Sequence, residues 1–305
     1  MKSINAKIKI TKLKKYSNIT KKYPFMEYLF PIISAIHSLK LNPKEKIIIC
    51  EGGTSLYLSF FLKLKNPKLK LIYLDVDLFF YNKRKNKPIK LLKKIIANKI
   101  DAIISVSEES KKYSDRIIKK PTKICRIPVK NIQDKHQKRK DYALYIGRLA
   151  SEKKIDRIIK FVMQNKRIKK LYIIGEGPLK NKIKQKSNKK IILINQTNNV
   201  EKYYNLCKYF IHLPDFDPHP STTMEAVLGG CIPIISNGCG TNYLFNKTFL
   251  VNPKNLYEIN SKFNYILNNP KKIQRLLNQT KKTILNKKPL NEFKTKFSEI
   301  INEIK

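Results

Sequence analysis

Short apolar runs alternate with longer amphipathic stretches along most of this chain. Residues 47–50, 69–74, 102–106 and 124–127 are short, mostly apolar runs of four to six positions, the reading of buried strands. Between them, 54–65, 89–98 and the stretch after Ser107 carry apolar residues at helical spacing. A polar run at 130–140 then interrupts the pattern. The alternation restarts with strands expected at 142–146, 170–174, 191–194, 209–214 and 231–236, and helices at 154–163, 179–186 and 200–206. From residue 256 onward only helical patterns follow. Strand–helix alternation predicts parallel sheets covered by helices, the α/β class. Two such series around a hinge at 130–140 predict two doubly wound domains, 1–139 and 140–305, with a ligand in the cleft beyond the C-terminal ends of the strands. The last helices can pack back on the first domain.

The stretch 215–243 organises the second series. No Lys or Arg lies between Lys208 and Lys247, although the chain carries 65 of them, which predicts a packed interior segment with few, placed polar groups. Ser221 or Thr222 is expected to cap a helix bearing Met224, Ala226, Val227 and Leu228 that stops at Gly229-Gly230. The free N–H groups and partial positive charge of such a helix start suit a phosphate. Two acids, Asp217 and Glu225, bracket it. Each admits a second reading. Thr222-Thr-Met-Glu225 fits a capping box, and Asp217 before Pro218 fits a turn.

Composition changes this picture in one respect. The 305 residues hold 42% hydrophobic and 29% charged positions, ordinary for a folded chain, but the formal net charge is +43. Residues 1–140 hold 35 basic against 10 acidic residues, a net +25, and the longer remainder a net +18. Such a surface attracts anionic partners, although the Lys, Ile and Asn richness also fits codon bias. The five cysteines (Cys50, Cys125, Cys207, Cys231, Cys239) are odd in number and form no C-x-x-C pair, so free thiols in a reducing cytoplasm are expected. The first residues show no long apolar core, so no signal peptide is expected. Residues 23–39 are the longest apolar stretch. Glu27 and Pro31 interrupt it, which favours a core helix over a membrane span, and its flanking lysines leave a membrane-surface helix open.

Two further blocks carry chemistry. Residues 142–156 read as strand, then Gly147, Arg148 and Lys153, a geometry that can deliver two cations to a diphosphate. A solvated lysine-rich loop is the plain alternative. Residues 171–178 read as strand followed by Gly175-Glu-Gly177-Pro178, a tight turn that a flat ligand can approach. It lacks the third glycine of a dinucleotide fingerprint. Asp75-Val-Asp77 looks like a metal-binding D-x-D pair, but it precedes the hinge, far from the other motifs, and no metal site is expected. His219 is the histidine of interest. His37, His136 and His212 read as helix, linker and core residues.

In series, the Gly147-Arg148-x4-Lys153 block, the strand with Gly175-x-Gly177-Pro178, and the Asp217-x7-Glu225 block with Pro233 resemble the retaining family 4 glycosyltransferases, the glycosyl transferases group 1 domain. The resemblance covers 142–245, with 102–110 and 124–128 similar to the end of that family's first domain. It implies two Rossmann-like doubly wound domains of the GT-B type. It implies that Arg148 and Lys153 hold the donor diphosphate, that Glu225 bonds the ribose, and that Asp217 stands beside the donor sugar where the family has glutamate. Gly147, Gly175, Gly177, Pro220, Ser221 and Thr222 complete the implied nucleotide-sugar site, with no metal and no tightly bound cofactor. The implied reaction is transfer of a sugar from a nucleotide-diphosphate sugar, with retention, to a glycan or lipid-linked acceptor. Pro218-His-Pro220 replaces the family's loop glycines, so a stiffer loop is expected. The first glycine of the chain is Gly52, so the first domain is expected to be shortened, without its opening glycine-rich unit. Two rival readings follow: a non-catalytic GT-B partner subunit, and a nucleic-acid-binding protein or DNA-directed glycosyltransferase. The basic residues are spread along the chain without an aromatic-interleaved patch, which weighs against the latter. A cytoplasmic protein with peripheral contact to an anionic membrane is the expected setting.

Overall fold

A computed structural model of the chain describes residues 30–40, 46–76, 87–118, 120, 122–286 and 289–304. The opening unit, residues 23–29 of the 23–39 stretch and Asp77 lie outside these residues. A helix α1 (Phe30–Leu39) precedes a first series: β1 (Ile47–Glu51), α2 (Gly52–Lys65), β2 (Lys70–Asp75), α3 (Lys87–Lys99), β3 (Ala102–Ser105), α4 (Glu108–Ile117) and β4 (Thr122–Ile124). The second series is β5 (Lys140–Ile146), α5 (Ile155–Gln164), β6 (Lys170–Ile174), α6 (Lys180–Gln185), β7 (Ile191–Ile194), α7 (Glu201–Leu206), β8 (Cys207–His212), α8 (Ser221–Leu228), β9 (Ile232–Ser236) and β10 (Leu250–Val251). Helices α9 (Leu256–Asn268), α10 (Pro270–Asn286) and α11 (Pro289–Ile304) close the chain.

Among the described residues the strands form two all-parallel sheets, a four-stranded one in the order β1-β2-β3-β4 and a six-stranded one in the order β10-β9-β8-β5-β6-β7. The α/β reading with two doubly wound units holds, and the first sheet is the smaller. In the second sheet the order reverses at β5 and β8. β6 and β7 are added on one side of β5, and β9 and β10 beyond β8. The loops leaving these two strands therefore diverge to opposite faces and open a crevice between them.

The inner strands β2, β3, β5 and β8 are buried on both faces, which is why they read as nearly continuous apolar runs. α5 is a clear amphipathic helix: Ile155, Ile158, Ile159, Phe161 and Val162 face the second core. Phe161 meets Phe263 of α9 edge-on with ring centroids 5.5 Å apart, and Tyr209 of β8 meets the same ring at 5.0 Å. Each such fully buried side chain contributes about 1.5–3 kcal/mol. α11 lies against the first sheet: Ile300 is buried with Ile72, Ile104 and Cys125, and Phe293, Phe297 and Ile301 pack around them. Lys123 and Glu303 pair across the same contact.

The last strand of the first series is shorter and earlier than its apolar pattern, at Thr122–Ile124 instead of 124–127. Pro128 lacks an N–H for a ladder, and residues 125–139 run without regular structure. An ion cluster secures this connection. Arg139 Nη2 donates to Asp134 Oδ1 and to the carbonyl of Gly229, both at 2.6 Å, and Lys281 of α10 lies 3.3 Å from Asp134 Oδ2. The cluster thus ties the connection to the C-terminal end of α8. Burial alone would raise the Asp134 pKa. The Arg139 and His136 hydrogen bonds and the charges of Arg139 and Lys281 outweigh it and hold the carboxyl at about 2. A depressed carboxyl pKa contributes stability above its unfolded value near 3.8, and that contribution is lost as pH falls through about 2. Chemical denaturation of Asp134→Asn should show lower stability than wild type at pH 7 and a flatter stability profile between these two pH values. Equal stability at pH 7 would mean the cluster contributes nothing.

Candidate functional site

The loop leaving β5 begins at Gly147 and ends in a short 3-10 turn, Ser151–Lys153, which turns Lys153 back toward the crevice. The loop leaving β8 runs from 213 to 220 and delivers Asp217. The two side chains meet: Lys153 Nζ lies 2.5 Å from Asp217 Oδ2. His212, the last residue of β8, places Nε2 at 2.8 Å from the same oxygen. The backbone fixes the carboxylate as well, since Asp217 N–H bonds Gly238 O and Asp217 O accepts from Gly240 N. Asp217 is therefore more than a turn residue. It is 5% exposed and doubly bonded through one oxygen. Burial pushes its pKa up, but Lys153 and His212 outweigh this and hold the carboxyl well below its ordinary value.

The glycines explain how the loops reach this point. A Cβ on Gly175 would fall 2.0 Å from the carbonyl oxygen of Gly147, and one on Gly177 would fall 2.5 Å from that of Leu149. The G-x-G turn after β6 thus packs backbone to backbone against the Gly147–Leu149 segment, and Leu149 N–H bonds Glu176 O at 2.9 Å. Arg148 is not drawn into the Lys153 pair. Its guanidinium is 63% exposed, 3.9 Å from Glu152, whereas Lys153 is 21% exposed.

The helix start differs from expectation. Neither Ser221 nor Thr222 caps α8: Pro220 occupies the N-cap position without a side-chain bond. The capping box is absent as well, because Glu225 turns away from the helix start and its Oε2 accepts from Tyr204 Oη at 2.9 Å. Thr223 does the local tying instead, donating to Pro220 O at 2.7 Å and meeting Thr241 Oγ1 at 3.1 Å. The backbone N–H groups of Ser221 and Thr222 are left without a capping side chain. Burial raises the Glu225 pKa against the opposing pull of Tyr204 and Lys130. The helix does end at the glycine pair, with Gly230 at φ +81°.

Across the crevice stand residues of the first series. Tyr113 of α4 packs on Phe216 with ring centroids 4.8 Å apart, Arg126 lies 4.8 Å over the Tyr243 ring, and His219 Nε2 is 3.0 Å from the Ile127 carbonyl oxygen. His219 is thus a tether between the two series. Asp75 is occupied in the fold: it accepts from Ser114 of α4 and lies 3.5 Å from Tyr73 Oη. No group of three or more metal-ligating side chains occurs among the described residues. A depression of about 510 Å³ lined by Lys135, Gln137, Asn199, Glu201, Lys202 and Asn205 includes none of the expected site residues. His212 reads as a core residue and is buried there; the one signal for its bond to Asp217 is its position at a strand end, five residues before the acid.

The fold is shared with known structures. TarM superposes with a TM-score of 0.70 at 18% identity over 89% of this chain, which spans 58% of TarM's length. Sucrose-phosphate synthase from Thermosynechococcus elongatus gives 0.75 at 14% identity, over 91% of this chain and 79% of that one. Anabaena HepE in complex with UDP-glucose gives 0.75 at 11%, over 95% and 89%. At these identities the likeness speaks for the fold alone. No curated protein matches the sequence. The family described as glycosyl transferases group 1 matches residues 128–283, just over half of the chain and the whole of the loop set built around Lys153 and Asp217. The chain is a member of the glycosyl transferases group 1 family with a GT-B fold.

Proposed function

We propose that the chain transfers a sugar from a nucleotide-diphosphate sugar to an acceptor hydroxyl with retention at the anomeric carbon. The observation that carries this reading is the Lys153–Asp217 pair at the crevice of the second sheet, where one cation and one buried carboxylate come from the two loops that diverge there. Residues 140–305 form the donor domain and 1–139 the acceptor side. Lys153 and Arg148 hold the diphosphate, helped by the uncapped N–H groups of Ser221 and Thr222. Asp217 bonds the donor sugar and Glu225 the ribose. Complexes of Anabaena HepE with UDP and UDP-glucose support a nucleotide-sugar donor, and a TarM variant bound to fondaparinux, α-GlcNAc-glycerol and UDP supports a glycan acceptor.

In the reaction the acceptor oxygen bonds the anomeric carbon while the bond from that carbon to the phosphate oxygen breaks. The acceptor proton passes to the departing diphosphate. The protein's part is to align the two substrates and to stabilise the negative charge that grows on the phosphate. Calorimetric titration with UDP-, GDP- and ADP-sugars should find one donor that binds. Arg148→Ala should weaken it by about 1.5–3 kcal/mol, the worth of a charge-assisted hydrogen bond. Glu225→Gln should weaken it too, with the melting temperature no lower than wild type, because the buried charge it removes is disfavoured by the fold. The product should keep the donor's anomeric configuration by NMR. Failure to bind any of the three, or variants that bind like wild type, would overturn the assignment.

We also place this reaction at an anionic membrane surface. Ile32, Ile36 and Leu39, 57%, 57% and 74% exposed, share one face of α1, and α3 exposes Leu91 and Ile95 next to Lys94. Exposed apolar side chains beside the exposed Lys40 and Lys94 fit an acidic lipid interface, each cation contributing about 1 kcal/mol near it. Cosedimentation should show binding to vesicles with phosphatidylserine, none to neutral vesicles, and weakening by salt. Preference for duplex DNA over such vesicles at matched salt would reject this and favour nucleic acid.

A further inference from the structure

His212 is buried, ends β8, and stacks on Tyr145 of β5 with ring centroids 5.9 Å apart and an 18° tilt. Its Nε2 meets Asp217 Oδ2, the oxygen that also holds Lys153. A carboxylate only accepts, so Nε2 carries the proton. Its other ring nitrogen, Nδ1, is buried with no hydrogen-bond partner. A neutral ring with an empty Nδ1 satisfies this arrangement, whereas an imidazolium would bury an unmet N–H. The carboxylate is consequently used asymmetrically. Oδ2 takes both donors, and no hydrogen bond reaches Oδ1 from the described residues.

We infer that His212 is a positioning residue: its Nε2–H fixes the rotation of the Asp217 carboxylate, so that Oδ2 holds Lys153 at the diphosphate while Oδ1 is left for the donor sugar. The reason lies in the number of rotatable bonds. The lysine ammonium sits on a flexible four-carbon stem and cannot by itself set the carboxylate plane. The histidine ring can, because its own plane is fixed by the Tyr145 stack and by its place at a strand end. Tyr145 is held in turn, its Oη donating to the Arg148 carbonyl at 3.0 Å, so the β5 loop and the β8 loop share one stack. Burial lowers the His212 pKa and the Lys153 charge lowers it further, against the pull of Asp217, which agrees with a neutral ring.

The inference rests on the nucleotide-diphosphate reading above, and its test separates the two. UDP affinity and UDP-sugar hydrolysis are measured on the full chain and on two variants. His212→Gln can return an N–H to the Nε2 position and should stay within about twofold of wild type, whereas His212→Leu fills the space without a donor and should lose roughly tenfold or more in UDP affinity, the factor that one displaced charge-assisted bond implies. Hydrolysis by His212→Leu should fall further than binding, since Oδ1 is misdirected too. Wild type that binds UDP alongside an unaffected His212→Leu, or a His212→Gln as damaged as His212→Leu, overturns the inference and spares the proposed function. Wild type that binds no nucleoside diphosphate overturns both. A measurement on wild type alone covers the case of a variant that does not fold. ¹⁵N shifts should show one histidine neutral, protonated at Nε2 and unprotonated at Nδ1, through pH 6–8. Absence of any ring locked in this tautomer also overturns it.

Discussion

Asp217 is a charge kept out of water, and the site is built to make that tolerable. A buried carboxylate is strongly unfavourable unless it is paired and hydrogen-bonded. Here one oxygen receives the ammonium of Lys153 and the imidazole N–H of His212, and the backbone around it is tied to Gly238 and Gly240. Because Lys153 comes from the loop after β5 and Asp217 from the loop after β8, this pairing joins the two loops that diverge at the reversal of strand order. The close approach of Gly175 and Gly177 to the β5 loop then fixes that loop from its other side.

The same economy governs the surroundings. Gly240 packs against both Pro218 and Ser107, where a Cβ would fall 1.9 Å from the Pro218 carbonyl oxygen and 2.4 Å from Ser107 Oγ. Ser107 begins α4 in a capping box with Ser110, so the helix that faces the crevice from the first sheet is itself well started. The His219 bond to Ile127, the Arg126–Tyr243 contact and the packing of α11 on the first sheet hold the two series in register around the cleft. Asp134, Asp215 and Asp217 each face more than one cation or donor.

Much of this was legible from residue order. Strands buried on both faces give unbroken apolar runs, so β6 and β7 fall at the residues the pattern marks, and the absence of cations between 208 and 247 correctly flagged a packed segment. Three features were not legible, each because it depends on long-range contact. Glu225 has the spacing of a capping box, but Tyr204, twenty-one residues earlier, is a nearer donor once α7 and α8 lie on the sheet. Asp75 resembles half of a metal pair, yet Ser114 reaches it from thirty-nine residues away. His212 sits in an apolar strand and reads as core. Only the return of the β8 loop brings Asp217 onto its ring. The glycines of 175–177 look like a ligand turn in sequence, and the structure gives them a prior task in loop packing.

A nucleotide diphosphate bound in this crevice should leave Lys153 paired to Asp217. A crystal structure of the full chain soaked with UDP tests it most directly. Diphosphate oxygens are expected within hydrogen-bond distance of Lys153 Nζ and the Arg148 guanidinium, at the N-terminal end of α8, with the His212–Asp217 contact retained. UDP seated instead in the depression lined by Lys135 and Lys202, with the Lys153–Asp217 crevice unoccupied, would contradict it.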